Sequence, residues 1–108
     1  YCASKFALVG FTQSLALEMA PYQITVNAIC PGLAMTERMT GIADALRDEN
    51  QSVEEKLASM HRERAAATPL GRTTEPKDIA NMAAFLASDQ SEHMTGLALS
   101  VSGGNIMT

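Results

Sequence analysis

Tyr1 and Lys5 stand four residues apart. On a helix, positions i and i+4 share a face, with Cβ atoms roughly 5–6 Å apart, so phenol and ammonium project together. An isolated tyrosine ionises near about pH 10 and is a poor acid–base group at neutrality. A neighbouring ammonium favours the phenolate and lowers that value. The pair could then pass a proton to or from an alcohol or carbonyl oxygen. A bare YxxxK is common, and taken alone it reads better as a chance pairing on a solvated helix face.

A second set of residues changes that weighting. Asn27 to Thr36 reads NAICPGLAMT and follows a short β-branched run. Ligands in open α/β sheets sit beyond the carboxyl ends of the strands. Pro31 and Gly32 let the backbone turn close to a ligand, and Thr36 offers a hydroxyl. In isolation this is a plain strand-to-loop turn. YxxxK on a helix, then NAxxPGxxxT, then a last strand closed by Gly103-Gly104, is a far more specific combination.

The remaining reactive side chains read as bystanders. His61 and His93 are isolated and read as surface residues rather than metal ligands. Cys2 and Cys30 fit no metal or CxxC spacing and read as free thiols in a reducing compartment, which favours the cytoplasm. Arg38 could meet a phosphate, but a surface charge paired with Glu37 or another acid is the better reading. Met35 and Met39 could line an adaptable apolar pocket, although core filling explains them as well.

These groups need elements to hold them. Residues 1–20 carry Phe6, Val9, Leu17 and interspersed alanines at helical spacing, up to Pro21. ITVNAIC (24–30) reads as a strand, and apolar residues at both parities suit burial on both faces of a parallel sheet. Residues 36–68 hold seven of the twelve acidic and five of the eight basic residues. There Ile42, Ala45 and Leu46 suggest a short helix. Ser52 and Glu55 form a capping-box pattern ahead of a second helix carrying Val53, Leu57 and Met60. Its narrow apolar stripes suggest a mobile helical excursion. Pro76 opens a helix to about Ser88, and 97–101 reads as a second strand. Alternating elements of this kind make an α/β parallel sheet.

Two strands do not make a stable open sheet with both faces covered. The pattern therefore reads as part of a larger domain, with missing strands ahead of Tyr1 and the sequence cut at the site itself. At 108 residues and 46% apolar content the chain fits one small domain. No apolar run of 18 residues is present, so no membrane-spanning segment is expected. A net charge of -4 argues against a nucleic-acid partner.

YCASKFALVGFTQSLALEMA, ITVNAICPGLAMT, PLGRTTEPKDIANMAAFLAS and TGLALSVSGG together resemble the C-terminal half of a short-chain dehydrogenase/reductase. They cover the chain apart from a 37–67 insertion. The resemblance implies the C-terminal part of a Rossmann-type, doubly wound parallel sheet, with residues 1–108 belonging to a single domain. Tyr1 would match the general acid/base on the substrate oxygen, and Lys5 the lysine that tunes it and meets the nicotinamide ribose. Pro31, Gly32, Leu33 and Ala34 would match the segment whose backbone meets the nicotinamide carboxamide, and Thr36 a threonine that also reaches the cofactor. Ala34 stands where the family often has Val or Ile, which would cost some packing against the ring.

The family's glycine-rich dinucleotide turn, catalytic serine and active-site asparagine lie outside these residues. The resemblance thus implies an NAD- or NADP-dependent oxidoreductase, with NAD slightly favoured, acting as a full-length homotetramer or dimer on a small alcohol or ketone. The 108 residues alone are expected to be inactive. The insertion implies a substrate lid. Its length and the flanking stretches look most like polyol, sorbitol-6-phosphate and small-diol dehydrogenases, ahead of 3-hydroxybutyrate dehydrogenases and 3-oxoacyl-carrier-protein reductases. A non-catalytic assembly module of the same fold is the competing class.

Overall fold

The computed structural model describes residues 1–106. In chain order they form α1 (Cys2–Met19), a 3-10 turn (Ala20–Tyr22), β1 (Ala28–Pro31), α2 (Arg38–Leu46), α3 (Val53–Ala67), α4 (Pro76–Leu86), a second 3-10 turn (Asp89–Ser91) and β2 (Ala98–Val101). The two strands pair in a parallel sheet, giving the expected α/β order. The chain divides into two compact units. One joins Tyr1–Cys30 to Lys77–Val101, and the other joins Pro31–Pro76 to the described residues 102–106.

In the first unit, α1 ends at Met19, just ahead of Pro21, as the sequence suggests. α1 tightens into the 3-10 turn with Pro21 in its first positions, and Gln23 ends it in a left-handed conformation (φ 57°), its N–H donating to the Ala20 carbonyl at 3.0 Å. A proline in a first turn gives up no hydrogen bond that the turn needs. Ala16 is the buried residue of α1. Phe6 and Leu17 are 79% and 78% exposed, so the apolar spacing that marks the helix does not mark a face covered within this unit.

β1 is shorter than the expected 24–30, because side chains replace ladder bonds at its start. Val26 N–H donates to Thr95 Oγ1 at 3.0 Å, and Gly96 N–H to the Val26 carbonyl at 2.7 Å. The Asn27 carboxamide donates to the Met94 carbonyl at 2.8 Å and accepts from Leu97 N–H at 3.2 Å. The regular ladder begins with Ala28 N–H to the Leu97 carbonyl at 2.8 Å. The residues of both strands are half-buried apart from exposed Pro31, rather than buried on both faces. After α4, buried Ser91 donates to the Leu86 carbonyl at 2.9 Å and closes that helix.

The second unit holds the best-packed apolar cluster among the described residues. Met39 and Ala43 of α2 meet Met60 of α3, with Met35, Val53 and Leu57 packed around them. Val53, Leu57 and Met60 form the inward stripe as their spacing predicts. On α2 the inward residues are Met39 and Ala43, whereas Ile42 and Leu46 are exposed. A fully buried alanine lets the two helices approach closely, which a larger side chain at that place would prevent.

The expected capping box is present. Ser52 Oγ accepts from Glu55 N–H at 3.1 Å, and a Glu55 carboxylate oxygen accepts from Ser52 N–H at 2.9 Å. At the other end of α3, Thr68 donates to the Arg64 carbonyl at 2.8 Å and accepts from the Asn105 amide at 2.9 Å. The terminal glycine pair makes this seat. Gly103 and Gly104 have φ of +63° and +93°, and a Cβ on either would stand 2.8 Å from Thr68 Cγ2 or 2.9 Å from Pro69 Cγ. Only glycine adopts such angles at no steric cost.

Candidate active site

Tyr1 precedes the first turn of α1, and its carbonyl accepts from Lys5 N–H at 3.1 Å and from Ser4 Oγ at 2.7 Å. That one-turn offset carries the two side chains to the same side. Lys5 Nζ lies 5.4 Å from the centroid of the Tyr1 ring, within cation–π range. The phenol is 89% exposed. The structure therefore brings the pair together as its spacing predicts, with the ammonium over the ring face.

The segment from Pro31 to Thr36 belongs to the second unit. Pro31 and Thr36 are exposed, while Gly32, Leu33, Ala34 and Met35 are half-buried. Gly32 is fixed by space. A Cβ there would stand 2.6 Å from Thr74 Oγ1 and 2.7 Å from Ser102 Cα. Ala34 pairs with Thr74 in an isolated parallel bridge. The backbone of 32–34 thus lies directly against the Thr73–Thr74 strip, which is itself buried.

Beside this segment runs an open groove of about 440 Å³, lined by Met35, Thr36, Glu37 and Thr40 on the α2 side and by Leu57, Ala58 and His61 of α3. Its floor mixes a thioether and aliphatic carbons with hydroxyl, carboxylate and imidazole groups. His61, read from sequence as an isolated surface residue, is exposed but engaged: its Nε2 lies 3.0 Å from Thr73 Oγ1. The available signal was helical spacing, since Leu57 and His61 are four residues apart and the core residue Met60 adjoins His61. The methionines divide: Met39 fills the core, and Met35 both packs on it and lines the groove. The insertion also carries an ion pair between Arg47 and Asp44 at 2.8 Å. Both cysteines are free thiols. Among the described residues, no three His, Cys, Asp or Glu side chains gather as a metal site, and no helix is long and apolar enough to cross a membrane.

Comparison with known proteins gives consistent relatives. A family model described as enoyl-(acyl carrier protein) reductase matches residues 1–105. The 3-oxoacyl-[acyl-carrier-protein] reductase FabG of Rickettsia bellii (strain RML369-C) is 43% identical over 108 residues, covering 99% of this chain and 39% of the relative. A diacetyl reductase, (S)-acetoin forming, of Staphylococcus epidermidis is 38% identical over 104 residues, covering 96% of this chain and 40% of the relative. Among solved structures, an actinorhodin polyketide ketoreductase with NADPH superposes with a TM-score of 0.79 at 37% identity, over 97% of this chain and 39% of that one. The chain spans about two fifths of the length of the relatives it matches.

Proposed function

The chain belongs to the short-chain dehydrogenase/reductase family, and from that membership we propose that the full-length protein is an NAD(P)-dependent oxidoreductase interconverting a secondary alcohol and a ketone. The observation that carries the proposal is the placement of Lys5 Nζ over the Tyr1 ring at the open start of α1. A phenol hydroxyl reachable by a substrate, with an ammonium over its ring, is suited to moving one proton at a substrate oxygen.

In this reading Tyr1 takes the proton from the substrate hydroxyl during oxidation and returns it to the carbonyl oxygen during reduction. Lys5, the backbone of Pro31, Gly32, Leu33 and Ala34, and the Thr36 hydroxyl would hold the nicotinamide cofactor, which when bound accepts or donates the hydride. The residues present fit that group. Lys5 is an exposed donor, Thr36 presents an exposed hydroxyl, and the Gly32 backbone is held by close packing rather than left free. The NADPH of the ketoreductase neighbour supports the cofactor class. NAD is proposed ahead of NADP on the family resemblance alone.

The substrate class we propose is a small diol or polyol and its ketone, with the 37–67 insertion as the lid that excludes water over it. The diacetyl reductase among the relatives supports the small-diol form. A second reading, reduction of a 3-oxoacyl thioester, is favoured by the FabG relative. Two free thiols support a reducing, cytoplasmic setting, and a homo-oligomer is proposed on the family resemblance alone.

The test is turnover by the full-length protein, followed by nicotinamide fluorescence with NADH and NADPH. The panel is a hexitol, butane-2,3-diol, acetoin, 3-hydroxybutyrate and a 3-oxoacyl thioester. Turnover of the diol and acetoin supports the first reading. Turnover of the thioester alone selects the second. Cofactor binding without turnover of any member contradicts both.

A further inference from the structure

The groove beside Thr36 has one wall on α3, and α3 is tied by His61 to the strip that backs the cofactor-side segment. The connections are all short. His61 Nε2 lies 3.0 Å from Thr73 Oγ1, and the direction of that bond follows the imidazole tautomer. Thr73 and Thr74 are buried. Thr74 bridges to Ala34, and its Oγ1 occupies the space that a Cβ on Gly32 would need. Immediately before His61, Met60 is locked into the α2–α3 core. A buried hydroxyl needs a hydrogen-bond partner, so Thr73 favours the one position of α3 in which His61 reaches it.

We propose that His61 is a positioning residue for the substrate: its bond to Thr73 fixes α3 against the 32–34 segment and thereby sets the width of the groove, which binds part of the substrate. The proposal rests on the alcohol–ketone reading above. The groove itself indicates the kind of group it takes. Met35, Leu57 and Ala58 supply apolar contact, while Thr36, Thr40 and Glu37 supply hydrogen-bonding groups. About 440 Å³ falls toward the small end of ligand sites, which span roughly 300–1,000 Å³. A short aliphatic segment carrying one further oxygen, as in a small diol or hydroxyketone, matches that lining better than a uniformly hydroxylated chain.

The test uses the full-length protein and the variants His61→Leu, His61→Gln, Thr73→Val and the double variant His61→Leu/Thr73→Val. Leucine keeps bulk but cannot bond Thr73, whereas glutamine places an amide nitrogen within similar reach. Two readouts are taken: hydrogen–deuterium exchange of the amides of residues 53–67, and steady-state constants for whichever panel compound the wild type turns over.

Loss of one hydrogen bond predicts KM raised about three- to tenfold for His61→Leu and for Thr73→Val. kcat and cofactor affinity should hold within about twofold, and exchange across α3 should quicken in both. The double variant should match the single ones, since both remove the same bond, and His61→Gln should restore most of the KM. Unchanged α3 exchange in His61→Leu overturns the proposal. So does a KM effect that adds fully in the double variant, which would mean that His61 touches substrate rather than positioning α3. Coupled exchange changes in a wild type that turns over nothing would uphold the His61–Thr73 tie, overturn its substrate role, and remove the functional reading on which that role rests.

Discussion

A single helical turn sets the distance between Tyr1 and Lys5, the pair to which the proposed chemistry is assigned. Lys5→Met keeps the helix and an unbranched side chain of similar length but removes the charge. We expect it to weaken cofactor affinity and to lower kcat together, read by cofactor titration and initial rates on the full-length protein. Gly32 tests the opposite kind of constraint. Its hydrogen faces Thr74 Oγ1 and the Ser102 backbone, so Gly32→Ala forces a shift of main chain rather than of a flexible side-chain tip. Overpacking of this kind costs about 1–3 kcal/mol. We expect a lower thermal midpoint and weaker cofactor binding, and a midpoint equal to wild type would remove the role assigned to close packing. The sequence shows Gly32 as a turn residue. Its true reason is a neighbour about 40 positions away in the chain, and local patterns do not contain such neighbours.

At the scale of elements, local signals were legible where they acted locally. The Ser52–Glu55 capping box and the Val53–Leu57–Met60 stripe are short-range features, and both are present. Ser52→Ala should cost about 1 kcal/mol in thermal or denaturant unfolding of the full-length protein, as an N-cap loss does. The start of β1 was not legible in the same way. Residues 24–27 have strand composition, yet the Asn27 side chain, bonded to Met94 and Leu97, takes the place of the ladder there. Asn27→Ala removes both bonds at once and should cost about 1–3 kcal/mol. Asn27→Asp keeps the acceptor for Leu97 N–H and should recover part of that loss. Likewise, the inward face of α2 falls on Met39 and Ala43 rather than Ile42 and Leu46. α2 begins at Arg38, four residues ahead of the apolar cluster that suggested it, and contact with α3 decides which stripe is used.

For the whole molecule, the exposed apolar residues of α1 matter most. Phe6, Phe11 and Leu17 are largely solvent-exposed on a helix whose buried residue is an alanine. Large apolar side chains left exposed around one helix favour association through it. We expect residues 1–108, produced alone, to bind a hydrophobic dye and to self-associate in sedimentation, and to show no nicotinamide-dependent turnover. A monomeric, dye-silent and active 108-residue chain would contradict that. The α/β order and the family were legible because they depend on residue pattern and motif. Which surfaces are finally covered depends on residues beyond the pattern, and the relatives are more than twice this chain's length.

The central claim is that Tyr1 moves the proton, and the most direct measurement is Tyr1→Phe in the full-length protein, with turnover and cofactor affinity read on the same preparation. Removing one hydroxyl from an acid–base group should lower kcat at least about a hundredfold, with cofactor affinity within about threefold of wild type. Turnover retained near the wild-type rate, with cofactor still bound, would contradict the account.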